Sequence, residues 1–253
     1  MSETLAELLR MEHEPVGVFY FDEKPQDAYE LPSGKRNCVV SMMLMAAQGK
    51  PVVTYDENCA CAGGAVGLGF GNAFERRGHP TRYLLSTGLA DMPDDDRRTL
   101  PPHMVNGERF FCSPSVVDAW KEEIPYGDEQ SRFVLFAPQS RWVEHRRPDA
   151  VVLLLNPDQL SAVVCMGSFR TGKAMQTIAP FSAACQSILR VRQDRNSADA
   201  PMVMGMFDVA HQLPANMLSL TMSHDRFVQL SEDAPTSCLS SQSWKKLVRL
   251  REQ

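Results

Sequence analysis

The stretch Ala150-Val-Val-Leu-Leu-Leu155, followed by Asn156-Pro-Asp-Gln159, does most to decide the fold. An unbroken apolar run of this length, without a charge, is typical of a buried strand. The asparagine and proline that follow are typical of a helix N-terminus, so a helix is predicted from there to about Phe169. A buried strand that leads directly into a helix favours an α/β arrangement.

Segments typical of strands and helices alternate on both sides of this stretch. The further predicted strands are 15–21, 52–55, 83–86, 133–137, 175–178, 202–206 and 217–222. The further predicted helices are 3–12, 38–47, 65–70, 72–77, 92–98, 113–123, 181–191, 224–230 and 244–251. The sequence therefore predicts an α/β (or α+β) fold with a mixed sheet flanked by helices. Residues 3–232 are expected to form a single domain, and residues 233–253 a C-terminal loop and amphipathic helical tail.

Length, charge and hydropathy exclude several classes of partner. The 253-residue chain has a formal net charge of −5, whereas nucleic-acid-binding proteins usually carry a basic patch, so no nucleic acid is expected. No apolar run approaches the ~20 residues that cross a bilayer, so no membrane contact is expected. The N-terminal sequence MSETLAELLRMEHEP is acidic and amphipathic. It does not resemble a signal peptide, so the expected location is cytoplasmic, and the oligomeric state is left open.

The motif Cys59-Ala-Cys61 is the sharpest local feature among the seven cysteines. Stable disulfides are rare in a reducing compartment, so these cysteines are expected to be core residues, metal ligands or reactive thiols. Two thiolates one residue apart can face one soft metal or adjacent atoms of a cluster. Gly63 and Gly64 follow at a predicted helix start, where the helix dipole favours a thiolate and the glycine N–H groups can approach a bound ligand. The same residues can also simply fill a tight turn.

Three further cysteines lie in apolar segments. Cys38 begins the predicted helix 38–47, and Cys185 lies near the middle of the predicted helix 181–191. Taken alone, each is more typical of a buried apolar side chain than of a ligand. Cys165 lies in the apolar run of the helix after Asn156 and is expected in the core.

Two histidines allow a different reading of Cys61. His79 and His103 flank a segment that is hard to assign, and either could supply a ligand or a proton. A cysteine nucleophile at Cys61 with one of these histidines is one hypothesis. The pattern is more typical of two surface histidines without such a role.

Several stretches occur in the order found in a known family. They are Pro15-Val-Gly-Val18, Cys38 at the start of an apolar helix, Glu57-Asn-Cys-Ala-Cys-Ala-Gly-Gly-Ala-Val-Gly-Leu-Gly-Phe70, Val151-Val-Leu-Leu-Leu-Asn-Pro-Asp-Gln-Leu160 and Ala179-Pro-Phe-Ser-Ala-Ala-Cys185. With these, the chain resembles the domain-of-unknown-function family one hundred and sixty-nine over roughly residues 3–232. The most specific part is the run that starts at Cys61.

The resemblance implies a thiolate site but no settled biochemical activity. The recurring cysteines of the family suggest iron–sulfur or other thiolate-bound metal, and they fall here on Cys38, Cys61 and Cys185. Members commonly carry a further stretch rich in glycine and cysteine after the last of these, whereas this chain has Met202-Val-Met-Gly-Met-Phe-Asp208. Either Cys59 replaces the missing ligand, or three cysteines leave an open iron position.

Two hypotheses of different classes follow from the sequence. The first is a cytoplasmic protein that holds an iron–sulfur cluster or another metal through Cys38, Cys59, Cys61 and Cys185, with a redox or substrate-binding role. Its partners would be a small-molecule ligand or a redox partner. The second is a non-catalytic module that binds a small molecule or a protein, in which the cysteines only pack the core.

Overall fold

The computed structural model describes residues 3–32, 37–93, 105–127, 131–142, 146–205 and 212–251. The strands of the sheet are β1 (Val16–Phe21), β2 (Tyr29–Glu30), β3 (Val52–Thr54), β4 (Phe133–Pro138), β5 (Ala150–Leu155), β6 (Thr177–Ile178), β7 (Met202–Gly205) and β8 (Leu218–Met222). The helices are α1 (Leu5–Leu9), α2 (Val39–Ala47), α3 (Ala62–Gly67), α4 (Ala73–Arg76), α5 (Thr81–Leu84), α6 (Pro114–Glu122), α7 (Pro157–Gly167), α8 (Gln186–Gln193), α9 (His224–Asp233) and α10 (Gln242–Arg251).

The eight strands form one mixed sheet in the order β2-β3-β4-β1-β5-β8-β7-β6. The first strand, β1, lies in the middle and pairs antiparallel with both β4 and β5. The two edge strands, β2 and β6, pair parallel with their neighbours. The predicted α/β fold with a mixed sheet flanked by helices is therefore confirmed.

Strand β5 shows how the sheet separates two cores. Its alternate residues Ala150, Val152 and Leu154 pack in one apolar cluster, together with side chains of α2, α3 and α8. Val151, Leu153 and Leu155 pack in a second cluster with α1, α7 and α9. Both faces are covered, which explains why the strand is apolar at every position. We call α2, α3 and α8 the cysteine-side layer, and α1, α7 and α9 the opposite layer.

Helix α7 begins where the Asn156-Pro157 sequence predicts, with a capping box at its N-terminus. The Asn156 Oδ1 accepts a hydrogen bond from the Gln159 N–H (2.9 Å), and the Gln159 Oε1 accepts one from the Asn156 N–H (2.8 Å). This reciprocal capping box satisfies two donors that a helix N-terminus leaves open. The Gln159 side-chain amide also donates to the carbonyl of Arg10 (2.8 Å), which fastens the end of α1 to α7.

The C-terminal helix α10 packs on the opposite layer. The Trp244 Nε1–H donates to the Leu8 carbonyl (3.0 Å), and Arg251 pairs with Asp158 (2.7 Å). Leu239, just before the helix, is buried in the second cluster. Within the described ranges, no helix combines the length and apolar character that crossing a bilayer requires.

Two sequence predictions of local structure are wrong. The predicted strand 83–86 is replaced by helix α5 and the turn that follows it, because a short apolar run fits either kind of element. The predicted helix 181–191 begins only at Gln186. The predicted helical turn 92–98 lies largely outside the described residues.

Candidate functional site

A tightly bonded turn between β3 and α3 carries the first cysteine of the C-x-C motif. The Asn58 Oδ1 accepts hydrogen bonds from the Thr54 hydroxyl (2.6 Å) and from the Tyr55 N–H (3.0 Å). The Cys59 N–H donates to the Tyr55 carbonyl (3.0 Å). Asparagine favours such turns because its short side chain can bond to its own backbone. The turn therefore fixes the direction in which the chain enters the motif.

Asn37 joins this turn to the segment that carries Cys38. Its Nδ2 donates to the Asn58 carbonyl (2.9 Å), and both asparagines are almost fully buried. The Asn58 Nδ2 is a buried donor without a hydrogen-bond partner among the described residues. A buried donor of this kind is costly unless something accepts its hydrogen bond, so it marks a place where an acceptor would be stabilising.

Two arginines hold the other side of the turn. Arg76 and Arg77 each donate to the Asp56 carboxylate at 2.6 Å, and Arg77 also donates to the Cys59 carbonyl at 2.6 Å. Burial alone would raise the pKa of Asp56, but the hydrogen bonds from both arginines outweigh it and lower the pKa. Asp56 therefore stays ionised, and Arg77 couples it to the backbone of Cys59.

Three of the predicted site cysteines occupy the same position in different helices. Cys38, Cys61 and Cys185 are the N-cap residues of α2, α3 and α8, respectively. Cys185 therefore lies at a helix start and not in the middle of a helix, because the chain becomes helical only after it. The Cys61 sulfur accepts a hydrogen bond from the Gly64 N–H (3.4 Å), whereas neither of the other two sulfurs caps its helix.

The four predicted cysteines are close enough to influence the ionisation of Cys185. Burial raises the pKa of Cys185 well above its ordinary value, and the charges of Cys61, Cys38 and Cys59 raise it further. Burial, followed by the charge of Cys61, raises the pKa of Cys59 to about 12. The thiols are thus electrostatic neighbours, and Cys59 and Cys185 are protonated at neutral pH when no cation is present.

The two glycines named from the sequence differ in what they allow. A Cβ at Gly64 would lie 2.9 Å from Val39 Cγ2 and 3.3 Å from Cys59 Sγ, so glycine is needed for α3 to approach the neighbouring helix and the sulfur. A Cβ at Gly63 would lie 3.8 Å from Cys61 Sγ, which is ordinary contact. Of these two positions, only 64 requires glycine for steric reasons. Both leave bare backbone beside the cysteine sulfurs.

Gly67, further along α3, allows a second close approach. A Cβ there would lie 2.7 Å from the Cys185 carbonyl oxygen and 3.1 Å from the Gln186 Cα. Helix α3 therefore packs with its backbone directly on the start of α8. Gly67 thus lets the backbone at Cys185 lie directly against the helix that begins at Cys61.

The four thiols differ in their access to solvent. Cys59 and Cys185 are buried, Cys38 is half-buried and Cys61 is exposed. The Cys59 thiol donates to the Cys61 carbonyl (3.7 Å), so its hydrogen bond stays within the motif. Within the part of the chain that the structure describes, no three histidine, cysteine or acidic side chains are arranged to hold a metal ion.

The family model for DUF169, described as "Uncharacterised ArCR", matches residues 4–233. The chain belongs to the DUF169 family. Neither a curated protein nor a solved structure matches it. The resemblance given by the cysteine and glycine motifs is therefore confirmed, and it covers almost the whole described structure.

Strand β7, the described part of the stretch in which the family resemblance implies a further cysteine, ends close to Cys185. Strand β7 ends at Gly205, and a Cβ there would lie 2.4 Å from the Cα of Ala184, the residue before Cys185. This chain has methionines in β7 instead. Residues 206–208, the rest of the stretch that differs from the family pattern, lie outside the described residues.

An aromatic wall beside the site was not anticipated from the sequence. The Trp120 ring lies 6.4 Å from that of Phe74 and 5.6 Å from that of Phe181, and the Trp120 Nε1–H donates to the Phe181 carbonyl (3.2 Å). Phe74 would be 3.9 Å from a Cβ at Gly63. These rings come from three separate segments, so no local pattern indicates that they meet.

Cys165, His79 and His103 are the other residues that the sequence singles out. Cys165 is exposed, so its expected place in the core is wrong: α7 buries its Leu160, Val163 and Met166 stripe and turns Cys165 outward. His79 bonds through its Nδ1 to the Thr81 hydroxyl (2.8 Å). Burial, and then the charge of Arg77, lower the pKa of His79. The other histidine considered, His103, lies outside the described residues.

Proposed function

We propose that this protein holds an iron–sulfur cluster, or another thiolate-bound metal, through Cys38, Cys61 and Cys185, with Cys59 as the fourth ligand. The observation that supports the proposal is the position of Cys38, Cys61 and Cys185 at three helix N-termini, with electrostatic influence of the other three cysteines on Cys185. The role that we propose for the site is redox chemistry or substrate binding.

The type of donor suits such a group. Thiolates are soft ligands that select iron–sulfur clusters, zinc and copper(I) over hard cations. Each helix N-terminus presents unpaired N–H groups and the positive end of the helix dipole, which lower the cost of a thiolate. The Gly64 N–H, which already bonds the Cys61 sulfur, is of the kind that stabilises a metal-bound thiolate.

The electrostatics of the thiols supports a bound cation. Four thiolates in one place repel each other, and burial makes ionisation of Cys59 and Cys185 still more costly. A metal centre removes this cost because it replaces the thiol protons with positive charge. Loading is therefore expected to release protons and to become tighter as pH rises.

The accessible side of the site is at Cys61, the exposed member of the four. A bound cluster would supply electron transfer, or a Lewis-acid position at an iron without a thiolate ligand. The chain itself would exclude water on the other side, where Cys59 and Cys185 are buried in the apolar cluster. A substrate or a redox partner would then approach beside Cys61.

In this proposal, Cys59 replaces the cysteine ligand that the family resemblance implies and that this chain lacks. Gly205, in the stretch that differs from the family, lies beside Ala184. The only sulfur atoms in the sequence of this stretch, 202–208, are methionine thioethers. Cys59 is adjacent in space to Cys61 and within electrostatic range of Cys185. This proximity supports Cys59 as the fourth thiolate.

The experiment is anaerobic purification, followed by reconstitution with ferrous iron and sulfide or with zinc. The readouts are the visible absorption spectrum and the iron, sulfide and zinc content per chain. We expect a coloured protein, and loss of colour in C38S, C61S and C185S. In C59S, unchanged iron content would indicate a three-cysteine site, whereas loss would indicate a fourth ligand.

The exposed cysteines Cys112 and Cys165 provide matched controls, because C112S and C165S remove a thiol without touching the site. Circular dichroism of each metal-free variant checks that it folds. A wild-type protein that stays colourless and metal-free would overturn the proposal and favour cysteines that only pack the core. Equal loading of the triple variant C38S/C61S/C185S would overturn it as well.

A further inference from the structure

A cleft of 540 Å³ opens beside the C-x-C turn and has no role in the thiolate site. It lies between the end of β3, the start of β4 and the end of the glycine-rich segment after α3. Asp56 and Glu57, which immediately precede Asn58 and the C-x-C motif, form one of its walls. The volume lies within the range typical of small-molecule sites, about 300–1,000 Å³.

Three aromatic rings give the cleft an apolar surface. Tyr55 and Phe133 meet edge to face with their ring centroids 5.7 Å apart, and Phe70 completes the lining. Rings of this kind favour a flat apolar group through stacking and edge-to-face contacts. Tyr55 is held in place because its hydroxyl donates to the Glu30 carboxylate (2.7 Å).

Most charges that line the cleft already have a partner. Lys24 forms an ion pair with Glu30, and together with the tyrosine bond this lowers the pKa of the Glu30 carboxyl. Asp56 is paired with Arg76 and Arg77. These groups shape the walls of the cleft, but they have little charge left to offer a ligand.

Glu57 and Arg132 are the exceptions. Both side chains are exposed and line the cleft. Among the described residues, neither forms a hydrogen bond or an ion pair, and the guanidinium of Arg132 lies only loosely over the Phe133 ring, 6.0 Å from its centroid. The cleft therefore presents one free negative and one free positive group beside an apolar surface.

We infer that this cleft binds a zwitterionic small molecule with a flat apolar body, of which an aromatic α-amino acid is the simplest example. The carboxylate would bind Arg132, whose planar guanidinium suits carboxylate geometry. The ammonium group would bind Glu57, and the ring would lie against Tyr55, Phe70 and Phe133. This inference does not rest on the thiolate proposal, because none of the four cysteines lines the cleft.

Isothermal titration calorimetry of the metal-free chain tests this inference with L-phenylalanine and L-tryptophan. The matched probes are 3-phenylpropionate, which lacks the ammonium group, 2-phenylethylamine, which lacks the carboxylate, and L-alanine, which lacks the ring. We expect the aromatic amino acids to bind and each matched probe to bind at least about tenfold more weakly, since each loses one charged contact or the ring.

Variants assign the contacts. R132Q is expected to weaken the binding of L-phenylalanine about tenfold but to leave the binding of 2-phenylethylamine unchanged. E57Q is expected to weaken the binding of L-phenylalanine by a similar factor but to leave the binding of 3-phenylpropionate unchanged. R249Q and E122Q change exposed charges on α10 and α6 and serve as controls. No binding of either aromatic amino acid at millimolar concentration would overturn the inference, as would full affinity in the double variant E57Q/R132Q. Binding retained in C61S would separate it from the metal site.

Discussion

The two helical layers begin their helices with different chemistry. In the opposite layer, oxygen atoms of Thr4, Asn156 and Ser223 accept backbone N–H groups at the starts of α1, α7 and α9. In the cysteine-side layer, the corresponding positions of α2, α3 and α8 are cysteines. Sulfur is a weaker acceptor than oxygen, so these helix starts gain less than the about 1 kcal/mol that an oxygen cap typically contributes.

This difference in helix capping indicates different roles for the two layers. Local choices that lower stability without a packing reason are most often found at functional sites. Here three such choices occur in one layer, and the thiols of Cys38 and Cys61 influence that of Cys185 electrostatically. The opposite layer supplies stability, whereas the cysteine-side layer keeps three poorly capped helix ends next to one another.

The largest expected effect is at alkaline pH. The pKa of Cys59 is about 12 in the folded metal-free protein, against an ordinary value of 9.0. The unfolded chain therefore loses this proton first, and stability that is complete below pH 9.0 should fall as pH rises towards 12. The slope is at most about 1.4 kcal/mol per pH unit for this one thiol.

Urea unfolding of metal-free protein between pH 8 and 11 measures this slope. C59A should remove the contribution of Cys59, whereas C112A, which changes an exposed thiol, should keep the wild-type slope. Parallel curves for wild type and C59A would show that burial of Cys59 does not control the alkaline limit of stability.

The next effect concerns the packing of α3 on α8. G67A should destabilise the protein by about 2–3 kcal/mol, because its methyl group would lie 2.7 Å from the Cys185 carbonyl oxygen. G63A on the same helix is the matched control, since its methyl group makes only ordinary contact at 3.8 Å. G63A should be neutral or slightly stabilising because alanine favours helix. Equal melting temperatures for the two variants would contradict the close approach.

A smaller loss is expected in the opposite layer. N156A removes the oxygen that accepts the Gln159 N–H and breaks the capping box of α7. The expected cost is about 1 kcal/mol, measured as a shift of the urea midpoint at constant slope. N156D, which retains the acceptor oxygen, should recover most of this stability. If N156A melts like wild type, the oxygen cap contributes nothing and the contrast between the layers fails.

The smallest effect has the opposite sign. Cys38 has the extended backbone of an N-cap residue (φ −81°, ψ 131°), so C38S should add a capping hydroxyl and stabilise the metal-free protein by about 0.5 kcal/mol. Cys185 has helical angles (φ −68°, ψ −26°), so C185S should add only a buried hydroxyl and should not stabilise. Thermal unfolding of both variants, compared with wild type, checks the pair. A destabilised C38S would mean that the sulfur itself contributes packing that a hydroxyl cannot replace.

The sequence predicts the parts of the fold that depend on local pattern. The apolar run of β5 and the Asn156-Pro157 helix start are found where expected. Cys165 was misassigned because an apolar helix segment does not reveal which of its sides faces the core. The strand predicted at 83–86 failed for a related reason, since a run of four residues has no measurable period.

For the candidate site, the sequence predicts the cysteines but not the contacts around them. The family motif indicates three of the cysteines, and the C-x-C spacing adds Cys59. The hydrogen bond from Arg77 to the Cys59 carbonyl and the approach of Gly67 to Cys185 join distant segments. Such contacts depend on how the helices pack, and no local spacing records them. The same holds for Glu57 and Arg132, which are separated along the chain and share only the cleft.

The central place of β1 has a consequence for how the protein is made. Val16 pairs with Pro138 on one side and with Val152 on the other. On the ribosome, neither neighbour of β1 exists until more than half of the chain has been made. Strand β8, the second neighbour of β5, is made later still. Long-range pairing of this kind slows folding and leaves apolar strands exposed during synthesis. Chaperone dependence in the cell should accordingly depend mainly on how long β1 stays unpaired.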